Sequence, residues 1–193
     1  PILNACGGAL SGDAAAEVME LAELLSMPVA TTLLGKSVFP EDHPLALGLG
    51  VYPRSRYATG PALQINRKAD VVLAGGISYR LPNGTDGRPI PEGVKLIHIN
   101  ADAADLNKTY QADLPILADA KLALRDIIEA VKDHLPSEKR GIKDEVTEEI
   151  KRARDKWLGE WLPVFTDSST PTNGYRVVYD LMQVTDREKT IAI

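Results

Sequence analysis

The chain has a single cysteine, Cys6, so no internal disulfide can staple it. It has no run approaching the ~20 apolar residues that a membrane-spanning helix needs, and no secretory signal opens it. Neither C-x-x-C nor H-E-x-x-H spacing occurs, which removes common metal-ligand patterns, and no G-x-S-x-G elbow supplies a serine nucleophile. The three histidines fall in separate contexts: His43 in a proline-rich loop, His98 inside a strand pattern, and His134 at a helix end, where a cation is favourable. Positive charge is short as well. The net charge of −5 argues against nucleic acid as a partner. These absences point to a cytoplasmic protein with no membrane segment. They also make the sequons Asn83-Gly-Thr85 and Asn107-Lys-Thr109 chance occurrences. Cys6 follows the apolar run Ile2–Ala5, which reads as a buried strand position rather than a nucleophile.

What is present is ordinary for a globular protein. The 193 residues are 44% hydrophobic and 25% charged, enough for one well-buried domain and an appendage. Strands are expected at Ile2–Cys6, Val29–Thr32, Asp70–Gly75, Lys95–Ile99 and Leu114–Leu117, most of them short continuous apolar runs. Between them lie helical patterns. One starts near Ser11 or Gly12, with Asp13 and Glu17 in its first turn and Val18, Leu21, Leu24 and Leu25 on one face; another spans Pro61–Lys68. A third, Ala120–Leu135, carries Leu124, Ile127, Ile128, Val131 and Leu135 on one side. Alternating strands and helices predict an α/β fold: a doubly wound, mostly parallel Rossmann-like sheet with helices on both faces.

Beyond Pro136 the pattern changes. Ser137–Asp144 reads as a charged linker, and Glu145–Leu162 as a helix with Val146, Ile150, Ala153, Trp157 and Trp161 on one side and a Glu148–Arg152 ion pair. The two tryptophans either pack on the chain's own core or form an interface. A short helix is expected over Pro171–Met182, and then a strand over Lys189–Ile193. The chain opens in a strand-like run at Pro1 without an initiator methionine and closes in that strand, so both ends read as cut from a longer protein.

Ligands of open α/β sheets sit at the carboxyl ends of the strands. The segment Pro28–Gly48 leaves the second strand as a loop broken by Gly35, Pro40 and Pro44. Within it, Ala30–Ser37 approaches the phosphate loop G-x-x-x-x-G-K-[ST] but lacks the first glycine and any following helix pattern, which argues against a nucleoside-triphosphatase. Gly7-Gly8-Ala9-Leu10-Ser11-Gly12 is a degenerate dinucleotide turn, with Ala9 where the middle glycine belongs. It serves either nucleotide contact or tight strand–helix packing. Gly75-Gly76 permits close backbone approach after the third expected strand. Asn100 to Asp102 follow the fourth, where an adenosine ribose is often held, and Asp119 follows the fifth as a helix cap.

These pieces, in this order and spacing, resemble the central domain of thiamine-diphosphate-dependent enzymes, in the acetolactate synthase-like branch. The motifs are Cys6–Ala9, Pro28–Gly48, Ala69–Gly76, Ile97–Asp102 and Ile116–Lys121. The match covers about residues 1–135, and residues 172–193 resemble the entry into the family's third domain. The resemblance implies a central domain at 1–136, a linker with a helix at 137–170, and a truncated start of the thiamine-diphosphate-binding domain at 171–193. It implies a parent that makes or breaks carbon–carbon bonds beside a 2-keto group, as a decarboxylase or a carboligase, with thiamine diphosphate and Mg²⁺. Those groups belong to the absent N- and C-terminal domains, and the parent is expected to be a homodimer or homotetramer. The metal–diphosphate motif G-D-G…N has no copy here: Gly12-Asp13-Ala14 and Thr85-Asp86-Gly87 both fail it. No catalytic or metal residue is therefore assigned, and the fragment is expected to be inactive alone.

Central domains of this family bind FAD, ADP or nothing. The positions matching nucleotide contacts are Gly7 and Gly8, then Thr32, Leu33 and Leu34, then Gly76 and Ile77, Asn100, and finally Asp119 and Ala120. The chain departs from the flavin-binding pattern at Ser78 and Arg80, where those members carry arginine and aspartate, and at Asn100-Ala101-Asp102 in place of Asp-Ile-Asp. Two other classes use the same sheet: a freestanding nucleotide- or flavin-binding module, and a non-catalytic interaction subunit docking through Trp157 and Trp161.

Overall fold

The computed structural model describes residues 1–51, 60–79, 90, 92–186 and 189–190. Arg80, the sequon at Asn83 and the triplet Thr85–Gly87 lie outside the described residues, as does most of the strand expected over Lys189–Ile193. Two compact units are present, Pro1–Ala153 and Arg154–Ile193.

In the first unit, β1 (Ile2–Ala5), β2 (Val29–Thr31), β3 (Ala46–Leu49), β4 (Val71–Gly75), β5 (Lys95–Asn100) and β6 (Leu114–Leu117) form one parallel sheet. Its order is β3-β2-β1-β4-β5-β6, the doubly wound arrangement whose direction reverses between β1 and β4. The inner strands are buried along their length because helices cover the sheet. The outer strand β6 is largely exposed, and Pro115 interrupts its row of donors, which blunts an edge.

The helices of this unit are α1 (Gly7–Ser11), α2 (Ala15–Leu25), α3 (Gly60–Asn66) and α4 (Ala120–His134). A β1-α2-β2 crossover runs one way along the sheet and β3-α3-β4 the other, so two right-handed crossovers place α2 and α3 on opposite faces. The stripe read on α4 is the one that packs: Leu124 and Ile128 are buried, with Ile127 and Val131 partly so. Three ion pairs tie α2 and its leading turn to α4: Asp13–Lys121 at 2.7 Å, Glu17–Arg125 at 2.9 Å, and Glu20–Lys132. The Lys121 ammonium beside Asp13 holds that carboxyl below the usual carboxylate range.

Four local expectations are corrected. Gly7–Ser11, read as a turn, is a short helix, and α2 begins only at Ala15, because Asp13 adopts a left-handed φ of 52° that breaks the path. The loop read through Gly48 contains β3, an edge strand admitted by a register shift opposite Val29 and Ala30 and by Gly48 at φ 75°. The helix expected from Pro171 begins at Gly174, capped by the Asn173 side chain accepting from the Arg176 amide at 3.1 Å. Glu148 does not pair with Arg152; its neighbour Glu149 reaches Lys68 across the fold instead.

Residues 137–143 are tied to the carboxyl ends of α2 and α4. The Arg140 guanidinium donates to the carbonyls of Leu135 and Lys132 at the end of α4, Gly141 donates to Leu24, and the Lys143 amide donates to Ser26 Oγ. Next comes α5 (Asp144–Phe165), whose Ile150 and Ala153 are buried in the first unit. In the second unit, Trp157, Trp161 and Phe165 of α5 meet Tyr175 and Tyr179 of α6 (Gly174–Val184) in one aromatic cluster; Phe165 stacks on Tyr179 at 5.8 Å. The tryptophans therefore have partners within their own unit.

Leu21 of α2 is wholly buried. Leu21→Ala should lower stability by about 2–5 kcal/mol, seen as a lower urea midpoint at an unchanged slope.

Candidate functional site

The loops leaving β1, β2, β4, β5 and β6 enclose a cleft of about 760 Å³ at the carboxyl end of the sheet, over the reversal between β1 and β4. All ten positions singled out in the sequence line it: Gly7, Gly8, Thr32, Leu33, Leu34, Gly76, Ile77, Asn100, Asp119 and Ala120. Leu49, Gly50 and Val51 line it too. Leu49 ends β3 and the other two follow it; the sequence pattern did not mark them because it did not mark that strand. Asp105 is a further wall residue, and it pairs with Lys108 at 3.1 Å.

The floor is a backbone seam. The Gly8 amide donates to the Gly76 carbonyl at 2.9 Å, and a Cβ on Gly8 would stand 2.7 Å from the Gly76 Cα. Gly76 itself has φ 65°, where a side chain is strained. Close packing thus accounts for both glycines and brings two strand-end loops into contact under the cleft.

Three polar side chains of the walls are already bonded to neighbouring backbone. Thr32 Oγ1 accepts from the Gly35 amide at 3.1 Å and caps a 3-10 turn over Leu33–Gly35. Asn100 donates to the Ile77 carbonyl at 2.8 Å and accepts from the Asp102 amide at 2.9 Å. Asp119 accepts from the Leu122 amide at 3.1 Å, capping α4 as expected. What faces the opening is mostly backbone and hydrocarbon: Leu33 is 67% and Leu34 80% exposed at the lip. No helix follows the near-phosphate loop, where Lys36 pairs with Glu41 at 2.6 Å and Ser37 has φ 77°.

His43 contacts Glu23 at 3.2 Å, His98 contacts the Ile77 carbonyl at 2.7 Å, and the His134 ring donates from Nδ1 to the Ala130 carbonyl within α4 at 2.8 Å. The histidines thus share no partner. Among the described residues, no group of three or more His, Cys, Asp or Glu side chains could hold a metal ion. No described helix is long and apolar enough to cross a membrane.

The family model for the thiamine pyrophosphate enzyme central domain matches residues 1–127. The "Probable acetolactate synthase large subunit" of Methanocaldococcus jannaschii is 34% identical over 191 residues, covering 95% of this chain and 29% of that protein. The glyoxylate carboligase of Escherichia coli O157:H7 is 34% identical over 152 residues, covering 75% of this chain and 25% of its own. A solved thiamin diphosphate-dependent enzyme from Mycobacterium smegmatis matches with a TM-score of 0.53 at 27% identity, over 67% of this chain and 24% of its own. The chain spans less than a third of the length of these curated relatives. Its sheet and cleft define a Rossmann-like domain with a switch-point site. More particularly, the chain belongs to the thiamine pyrophosphate enzyme family, as a central domain.

Two outcomes follow from the floor of the cleft. Gly8→Ala forces a methyl into the Gly76 backbone and should cost about 1–3 kcal/mol in chemical denaturation. Cys6, 2% exposed beneath the cleft, has its thiol pushed up to about 12 by burial, the largest influence, against bonds from Thr32 that lower it. Below the ordinary thiol value of 9.0 the thiol is protonated in both folded and unfolded chain, and this contribution to stability is fully present; between 9.0 and about 12 the unfolded chain ionises first, so stability falls as pH rises. Ellman's reagent at mildly alkaline pH should label Cys6 at the rate of global unfolding, and immediate labelling of the native chain would contradict this burial.

Proposed function

We propose that this chain is the central domain of an acetolactate synthase-like enzyme that acts on 2-keto acids by decarboxylation or carboligation with thiamine diphosphate and Mg²⁺. The identity of 34% across 95% of the chain to an acetolactate synthase large subunit supports that branch. The cofactor would supply a carbanion nucleophile and an electron sink. The residues here do not fit it: the one carboxylate of the nearest motif copy within the described residues, Asp13, is engaged by Lys121. Cofactor and metal are assigned instead to the N- and C-terminal domains of the parent, a homodimer or homotetramer, with residues 171–193 as the start of the C-terminal one.

The domain's own role is to be a scaffold with an adenine-nucleotide cleft, taking FAD or ADP. The observation that carries this is the cleft itself: about 760 Å³, at the strand-order reversal, with glycine backbone on its floor and leucines at its lip. Its size lies within the roughly 300–1,000 Å³ of small-molecule sites. The seam of Gly8 and Gly76 gives the cleft a backbone floor, and the bonded state of Thr32, Asn100 and Asp119 leaves shape and backbone contacts to do most of the recognition.

The test is direct. The purified chain is titrated with ADP and with FAD by calorimetry, and its heat-denatured supernatant is scanned for flavin absorbance. Binding of either supports the cleft reading; binding of neither removes it. The same chain given thiamine diphosphate, Mg²⁺ and a 2-keto acid should show no turnover, and any turnover would place catalytic residues within these 193 positions.

A further inference from the structure

Beneath the cleft lies a polar layer that ligand contact does not explain. Asn4, Ala74 and His98 are register partners across β1, β4 and β5, so their side chains share one face of the sheet. Asn4 and His98 are each 1% exposed, with only the Ala74 methyl on the strand between them. Two residues further along β5, Asn100 is on the same face at the cleft wall. His98 does not line the cleft, yet its Nε2 stands 2.7 Å from the Ile77 carbonyl, which also accepts from Asn100 Nδ2 at 2.8 Å. A carbonyl only accepts, so Nε2 carries the ring proton. Two donors from alternate residues of one strand therefore converge on a single wall oxygen.

The loop they grip is held against its own preference. Between Gly76, at φ 65°, and Tyr79, at φ 27°, the chain turns through two left-handed residues, and the second is not a glycine. Tyr79 is 2% exposed and held edge-on by the rings of His98 at 5.3 Å and Tyr110 at 5.4 Å. His98 thus contacts the loop twice, through a hydrogen bond to Ile77 and a ring contact to Tyr79. The other ring nitrogen, Nδ1, is buried without a partner, a cost that an apolar ring would avoid. Packing alone would favour phenylalanine here; the bond to Ile77 is what an imidazole adds.

We propose that His98 is a positioning residue: through the Ile77 carbonyl it holds the Gly76–Tyr79 loop as the wall of the cleft. Its effect on nucleotide affinity rests on the adenine-nucleotide reading of the cleft; its effect on the loop does not. The test compares His98→Phe, which keeps a ring and loses the donor, with His98→Gln, which keeps a donor near the Nε2 position and loses the ring. Amide hydrogen exchange at Gly76, whose amide donates to the Ile99 carbonyl, and at Gly8, whose amide donates to Gly76, should speed up by about tenfold or more in His98→Phe while α4 amides keep their rates. ADP affinity should fall by about tenfold, with His98→Gln within about threefold of the parent in both readouts. A purely structural role predicts the opposite order, because Gln is the worse replacement for a buried ring. Unchanged loop exchange in His98→Phe, or a larger loss in His98→Gln than in His98→Phe, overturns the proposal. If the unaltered chain binds neither ADP nor FAD, the cleft reading fails and the exchange pattern alone decides His98. If His98→Phe does not fold, the ring ¹⁵N shifts of the unaltered chain decide: a proton on Nε2 supports the bond to Ile77, and a proton on Nδ1 alone excludes it.

Discussion

The contact between the Gly8 and Gly76 backbones is the constraint from which the site follows. It lies where the sheet reverses direction, between the ends of β1 and β4, and it leaves no room for a Cβ on either side. Two strand-end loops normally hold each other apart by their side chains. Here they touch, and the Gly8 amide bonds the Gly76 carbonyl directly. Each backbone fills the space where a side chain of the other would stand, and the closed seam is the floor of the cleft. The rest is arranged around that floor: the Thr32 turn on one side, Asn100 on the other, and the start of α4 above.

That arrangement limits what the cleft can recognise. A side chain that caps a turn or ties a loop has its best lone pair or donor committed, and only its remaining capacity is available to a ligand. Thr32, Asn100 and Asp119 are all committed in this way. Selectivity then depends on how accurately the walls are held, since backbone amides and hydrocarbon surface discriminate by shape. Wall rigidity becomes a binding property, which is why a buried histidine bonded to a wall carbonyl matters more than its distance from the opening suggests.

Much of this was legible because parallel strands buried on both faces are continuous apolar runs, and five such runs fixed the sheet and therefore its carboxyl edge. The ten positions drawn from the family resemblance line the cleft for a related reason: they lie in the segments that leave those runs, and these fall on one edge. Two elements were hidden. Ala46–Leu49 follows two prolines and contains a glycine at positive φ, so its composition is that of a loop, and only pairing with β2 makes it a strand. Gly7–Ser11 begins with two glycines, the poorest helix formers after proline, and is helical because Ala9 is buried and the seam with Gly76 fixes its start. His98 was hidden in another way. A polar residue inside a strand run reads as simple alternation, and its partner carbonyl lies twenty-one positions away in sequence.

The second unit obeys a different balance. α6 is an eleven-residue helix, marginal by itself, and none of its residues is buried. One side is secured by the Asn173 cap, the Arg176–Asp180 pair at 2.6 Å, and Tyr175 and Tyr179 against the α5 aromatics. Another set, Val177, Val178, Leu181 and Met182, stays between 43% and 57% exposed. Aliphatic residues gathered on one short helix gain nothing from water, and a contiguous row of them marks a surface that packs on something. The helix therefore closes an aromatic cluster with some residues while leaving aliphatic ones open. The Trp157–Trp161 pair belongs to the secured side, because Trp161 and Phe165 carry the contacts to Tyr175 and Tyr179.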